Sequence, residues 1–287
     1  MSDGVAVALG MFDGLHLGHQ AVLNSATKEN LKSVAITFSS LPFKTGGWLM
    51  TKEQKEAELK KLGIDEVFFL DFCEVCDMYP EEFLSYISKL YPIKKICCGF
   101  NYRFGIRAGG DTAFLKEYCK KKGIEFEVLD MVEQNGQAVS STYIRSLISN
   151  GKIKKATALL SRPFSFKAKV SRGDQRGRTI GFPTLNQVFP EEYVTPKKGV
   201  YAVRVTFDGN EYFGVCNVGS RPTVDDDDRV IAETHLLDFS GELYGKEVRV
   251  EFHRFLRAEK KFSSLEELKL QIGKDRETAR LFCKEEQ

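Results

Sequence analysis

The chain has 287 residues, 42 Lys and Arg against 40 Asp and Glu, and a formal net charge of +2. That length suffices for two ordinary domains with separate cores, and the near balance of charge excludes a field strong enough to make DNA or RNA the principal partner. No stretch offers the ~18 consecutive apolar residues of a membrane span, and Met1-Ser2-Asp3-Gly4 lacks the basic and apolar regions of a signal peptide, so a cytoplasmic protein with no membrane or nucleic-acid partner is expected.

In chain order, Val5-Ala6-Val7-Ala8-Leu9 reads as a fully buried strand. Gly10 and Gly14 then allow a sharp turn, and Gln20-Ala21-Val22-Leu23 opens a helical pattern. The turn, Gly10-Met11-Phe12-Asp13-Gly14-Leu15-His16-Leu17-Gly18-His19, puts two imidazoles where a helix begins. A nucleotide polyphosphate would lie there against free backbone N–H groups and the positive end of the helix dipole. His16 and His19, three residues apart, can both donate to the oxygens of a phosphorus under attack. The plainer alternative is that one imidazole caps the helix and the other fills a polar pocket.

Next come Ser33 to Phe38 as strand, Lys52 to Leu62 as helix, and Glu66 to Leu70 as strand. Pro80 starts a further helix from its favoured first turn, and Lys95 to Gly99 is the next strand. Asp111 reads as the N-cap of a helix through Lys122, and Glu125 to Leu129 as another strand. Such alternation predicts a parallel sheet with helices on both faces and ligands at the carboxyl ends of its strands. The seven Cys are an odd count, which favours reduced thiols over a disulfide framework. Cys73 and Cys76 form a CxxC, but the adjacent Cys97-Cys98 have the wrong spacing for a second zinc knuckle, so buried reduced thiols are expected.

Helical patterns around Ile144-Leu147-Ile148 and Ala156-Leu159-Leu160 precede Ser161-Arg162-Pro163, where the period changes. Tyr201, Val203, Val205 and Phe207 alternate with Ala202, Arg204 and Thr206, and Val248, Val250 and Phe252 with Arg249, Glu251 and His253. Half-buried antiparallel strands joined by turns such as Asp208-Gly209-Asn210 predict a small closed barrel, with a helix over Leu265 to Phe282 packed on it. The expected division is 1–160 and 161–287.

Three features of the second half suit phosphoryl transfer. The loop Gly173-Asp174-Gln175-Arg176-Gly177-Arg178 can bring backbone N–H groups and cations to phosphates, although by itself it also reads as a solvated loop. Thr184 and Asn186 are neutral oxygen ligands that share one face of a strand, as Mg²⁺ accepts alongside phosphate oxygens and water. Glu233, in Ile231-Ala232-Glu233-Thr234-His235-Leu236-Leu237-Asp238-Phe239, is either paired structurally or poised as a general base. Asp225 to Asp228 repel one another and read as an exposed loop rather than a metal site.

Two separate motifs carry a family resemblance. The first turn resembles the nucleotidyltransferase signature HxGH in its fuller form GxFDGxHxGH. Gly177-Arg178-Thr179-Ile180-Gly181-Phe182-Pro183-Thr184-Leu185-Asn186 is similar to the flavokinase loop GRxxGFPTxN. Together they resemble the bacterial bifunctional riboflavin kinase and FMN adenylyltransferase (FAD synthetase) family. The resemblance implies an α/β nucleotidyltransferase domain of Rossmann-like type, followed by an antiparallel six-stranded β-barrel flavokinase domain with a C-terminal helix. It implies riboflavin, FMN, FAD and ATP as substrates and products, Mg²⁺ held by Thr184 and Asn186, and Glu233 as the base for the ribityl hydroxyl. Val139-Ser140-Ser141-Thr142-Tyr143-Ile144-Arg145 resembles the element ISSTxIR, which implies that Ser141, Thr142 and Arg145 meet ATP phosphates, whereas unaided it reads as a helix cap. Gly99-Phe100-Asn101-Tyr102-Arg103-Phe104-Gly105 is similar to GxxFxFG, with Asn101 implied as a nucleotide or metal contact. Gly10, Phe12, Asp13 and Gly14 are implied nucleotide contacts, as are Gly173 and Arg178.

The chain departs from the family's TFxPHP in Thr37-Phe38-Ser39-Ser40-Leu41-Pro42, which has no His. Adenylyl transfer slower than flavin phosphorylation is therefore expected. A kinase with a weakened or altered first domain, or a flavin-binding regulator, stands as the alternative.

Overall fold

In a computed structural model, residues 4–28, 30–39, 46–173, 177, 180–221 and 229–285 are described. Contacts divide the chain into two compact units, 1–143 and 144–287.

The first unit runs β1 (Val5–Leu9), α1 (Leu17–Thr27), β2 (Lys32–Phe38), α2 (Lys52–Lys61), β3 (Glu66–Leu70), α3 (Phe72–Val75), α4 (Pro80–Leu90), β4 (Ile93–Gly99), α5 (Thr112–Lys122) and β5 (Glu125–Leu129). A short hairpin, β6 (Glu133–Gln134) and β7 (Gln137–Ala138), follows. The five long strands form a parallel sheet in the order β3-β2-β1-β4-β5. Its two faces differ because side chains alternate along each strand. Val7, Leu9, Ile36, Ile96 and Cys98 pack with Phe83, Leu84, Ile87 and Leu115. Ala6, Ala8, Ala35 and Cys97 face the other way, with Val22, Leu23 and Ala26 of α1. Small side chains there let α1, which begins at the histidine turn, lie close on the sheet. Cys97 and Cys98 thus divide between the two faces as core thiols. Cys73 is exposed and Cys76 half-buried, however, so the expectation of buried thiols fails for this pair. Cys73 sits on α3, a one-turn helix that alternating periodicity does not announce, and Cys76 caps its end.

Helix α6 (Ser141–Ser149) runs across the division. Then come α7 (Ile153–Leu160), β8 (Phe164–Lys169), β9 (Leu185–Val188), β10 (Gly199–Phe207), β11 (Asn210–Arg221), β12 (Arg229–Leu236), β13 (Glu247–Arg257) and α8 (Leu265–Glu285). The six strands form one antiparallel sheet, β8-β13-β10-β11-β12-β9. It curls until its outer strands approach. The Ser171 N–H donates to Asn186 O at 2.8 Å, and Gln187 Nε2 to Ala168 O at 2.8 Å. Register places Tyr201, Cys216 and Thr234 in one cross-strand row, all fully buried in the interior. Phe252 meets Tyr201 edge-on at 5.0 Å and stacks with Phe164 at 5.9 Å. Val200, Ala202 and Val215 point outward yet are buried, because Ala279 and Phe282 of α8 cover them. These strands are therefore buried on both faces near α8, more than period-two alternation predicts.

Candidate active sites

In the first unit the site residues gather at the carboxyl end of β1. Phe12 (φ 49°) and Leu15 (φ 48°) occupy left-handed backbone beside Gly14 (φ 85°), and both side chains are buried. Each non-glycine residue held there costs on the order of 1–3 kcal/mol, which surrounding structure must offset. The offset is visible. Thr37 Oγ1 donates to Met11 O at 2.8 Å, Lys55 Nζ to the same oxygen at 2.9 Å, and the Leu49 N–H to Asp13 Oδ1 at 3.1 Å. Ser141 Oγ donates to Asp13 O at 2.9 Å. A Cβ on Gly10 would come within 2.8 Å of the Phe12 ring, so only glycine lets that ring lie under the turn.

Helix α1 starts at Leu17, one turn before the periodicity suggested, because His16 is its N-cap: the His19 N–H donates to His16 Nδ1 at 3.3 Å. An accepting Nδ1 fixes the neutral tautomer with its proton on Nε2. Capping and phosphate donation are thus compatible, since they use different ring nitrogens. The two imidazoles stack with centroids 3.6 Å apart, and Phe12 meets His19 edge-on.

Asn101 lies just past β4, whose Cys98 is in register with Leu9 of β1, so the two loops leave adjacent strand ends. Its side chain is exposed, as is that of Thr142. Ser140 Oγ caps α6 by accepting from the Tyr143 N–H at 3.2 Å, while Ser141 turns to the histidine loop. Arg145 is one turn further along α6, in the second unit.

Lys55 escaped the sequence reading. It is 1% exposed, donates to Met11 O and to Phe38 O (3.1 Å), and lies 5.9 Å from the Trp48 ring. Burial lowers its pKa to about 8 against the raising influence of Asp13. The signal was faint: Lys55 shares the stripe of buried Leu59 on an otherwise polar helix. Ser40 to Pro42, where the family has its His, lie outside the described residues.

In the second unit a cavity of about 740 Å³ opens between the sheet's outward face and α8. One cross-strand row, Asn186, Glu233, Asn217, Val200 and Arg257, contributes to its wall. Directly opposed residues of this kind have Cβ atoms about 4.5–5.5 Å apart. Glu233 is half-buried, with its side chain on the Ile231 and His235 face of β12. A smaller cavity, about 260 Å³, lies beside Gly173 and Tyr244. Thr184 and Asn186 line both. Asn186 Oδ1 is buried without a hydrogen-bond partner, and a Cβ on Gly173 would fall 2.5 Å from it. An oxygen so placed, on walls shared with Thr184, suits a hard cation, and the absent side chain at Gly173 leaves room for one. Of the loop expected to take phosphates, Gly173 and Gly177 are described; Arg178 lies outside the described residues.

Sequence reasoning also missed Asn217, His235 and the ion pair closing the cavity. Arg257 grips Asp275 of α8 through Nε (3.0 Å) and Nη2 (2.8 Å), and Gln271 Nε2 supports the carboxylate at 2.9 Å. His235 Nδ1 donates to Pro183 O at 2.8 Å, and burial lowers its pKa. Their roles depend on register, which adjacent residues in sequence do not reveal.

Comparison with known proteins follows the same division. The family model for FAD synthetase matches residues 1–143, and that for riboflavin kinase matches residues 160–283. A Listeria monocytogenes bifunctional riboflavin kinase/FMN adenylyltransferase is 35% identical over 96% of this chain and 91% of its own length. The Haemophilus influenzae protein of that name is 37% identical, covering 98% and 94%. A crystal structure from Streptococcus pneumoniae, described as a macrolide-efflux protein, superposes with a TM-score of 0.87 at 31% identity, covering 98% of this chain and 95% of that one. Among the described residues no helix is long and apolar enough to cross a membrane.

Proposed function

Because the chain belongs to the bifunctional riboflavin kinase/FMN adenylyltransferase family, we propose that it phosphorylates riboflavin with ATP to give FMN, then transfers an adenylyl group from ATP to FMN, releasing pyrophosphate and FAD. The kinase portion is 161–287 and the adenylyltransferase portion 1–160. Both reactions run in the cytoplasm, where ATP is supplied.

The observation that carries the kinase assignment is the placing of Thr184 and Asn186 on the walls of both cavities, with Glu233 beside Asn186 in the row. The larger cavity has the size of a small-molecule site and takes the flavin, while the smaller, with the loop carrying Gly173 and Arg178, takes the ATP phosphates. Glu233 accepts the proton of the ribityl 5′-hydroxyl as its oxygen attacks the γ-phosphorus. Thr184 and Asn186 would hold Mg²⁺, which when bound neutralises charge on the transferring phosphoryl group.

In the first unit the FMN phosphate attacks the α-phosphorus of a second ATP. Gly10, Phe12, Asp13 and Gly14 shape the turn, His16 and His19 donate to phosphate oxygens, and Ser141, Thr142 and Asn101 complete the nucleotide contacts. Charge stabilisation and positioning suffice, with no covalent protein intermediate. Incubation with riboflavin, ATP and Mg²⁺, followed by chromatographic separation of flavins over time, tests the whole reading. FMN should appear first and FAD after it; flavin that stays riboflavin overturns the proposal.

A further inference from the structure

Cys73 and Cys76 stand apart from the other described cysteines, because Cys97, Cys98, Cys119 and Cys216 are all buried. Cys73 is exposed and Cys76 half-buried on the surface of α3. The turn is set by a side-chain cap and a backbone bond: Asp71 Oδ1 accepts from the Cys73 N–H at 2.8 Å, and the Cys76 N–H donates to Phe72 O at 2.9 Å. Three residues of α-helix bring the two Cα atoms about 5 Å apart, within the ~4.4–6.8 Å span that a disulfide bridges. The Cys76 thiol already points back along the turn, lying 3.6 Å from Cys73 O. A metal centre does not account for the pair, since no cluster of three or more potential ligands occurs among the described residues.

We propose that Cys73 and Cys76 are a redox-active dithiol that closes into an intramolecular disulfide by exchange with a low-molecular-weight disulfide such as oxidised glutathione. The Cys73 thiolate attacks one glutathione sulfur, forming a mixed disulfide and expelling the other half as thiolate. Cys76 then attacks Cys73 Sγ and expels the second glutathione. Two protein thiols are oxidised, one disulfide is reduced, and the two thiol protons end on the glutathiones. The order follows from access. It is supported by the Cys76 thiol, whose pKa partial burial and the neighbouring Asp77 carboxylate raise, making it the slower first attacker.

The test uses the full chain, reduced, freed of reductant, exposed to oxidised glutathione, quenched with an alkylating maleimide and digested with trypsin. The peptide 62–89 contains these two cysteines and no other. It should appear unalkylated and lighter by two hydrogens, whereas in Cys76→Ser it should carry one trapped glutathione. A peptide that is alkylated twice, keeps glutathione in the unaltered chain, or links two chains overturns the proposal. Unchanged adenylation of supplied FMN by Cys76→Ser serves as the check that the first unit is folded in the variant.

Discussion

The two units place reactive groups by opposite means. In the first, the two imidazoles lie within one contiguous turn, and the surrounding fold supplies hydrogen bonds from Thr37, Leu49, Lys55 and Ser141 to hold that turn in left-handed backbone. In the second, Asn186, Glu233 and Asn217 come from three strands and meet only through register. A loop site is costly to hold, whereas a sheet site is rigid once paired, and a short motif reveals its members singly without showing that they meet.

The sharpest way to break the comparison is to remove chemistry from one unit and look for loss in the other. Replacing both His16 and His19 with Ala should reduce FAD formation from supplied FMN by about 10³-fold or more, to below detection, since each lost donor costs roughly 10²–10³-fold. FMN synthesis should continue, and undiminished FAD formation would remove the histidine turn from the mechanism. Glu233→Gln is the reciprocal change. It keeps shape but accepts no proton, so FMN formation should fall by about 10²-fold while adenylation of supplied FMN survives. Equal loss of both activities would make Glu233 structural.

A third variant concerns the boundary. A fragment from Ser161 to Gln287 lacks α7, whose Ile153, Leu159 and Leu160 are buried. At roughly 1.5–3 kcal/mol for each side chain, it should be less stable by about 5 kcal/mol than a fragment from Ile144. Denaturant titration of the two fragments measures this directly, and equal midpoints would show that the kinase portion folds without α7. The smallest effect belongs to Lys55. Its folded pKa of about 8 lies below the ordinary 10.5. Between those values the unfolded chain binds the extra proton, so this group makes stability rise with pH through that window. Relative to Lys55→Met, the unaltered chain should gain about 2 kcal/mol between pH 7.5 and 10. A pH-independent difference would show that the amine titrates normally.

The sequence carried the element order of the first unit well, because buried strands and amphipathic helices alternate there with distinct periods. It missed α3, whose single turn is too short for any period, and its helical pattern opened one turn inside α1, although an imidazole cap was among its readings. Thr184, Asn186 and Glu233 were found through motif resemblance. Asn217, His235 and the Arg257–Asp275 pair were not, since their roles arise only when strands and α8 come into register. Lys55 was hidden by composition, as a buried cation on a helix rich in Lys and Glu looks like a solvated one.

The row bearing Glu233 faces away from the barrel interior, which the Tyr201, Cys216 and Thr234 layer fills independently. Substitutions at Asn217 of β11 and Ile231 of β12, which line the cavity on that outward face, can therefore reshape what it accepts without opening a hole in the interior. For anyone wishing to retune this half toward a modified flavin, those two positions are the place to start, whereas Val215 on the same face is packed under α8. The histidine turn offers no such freedom, since the residues that would be varied are the same ones that keep its backbone in place.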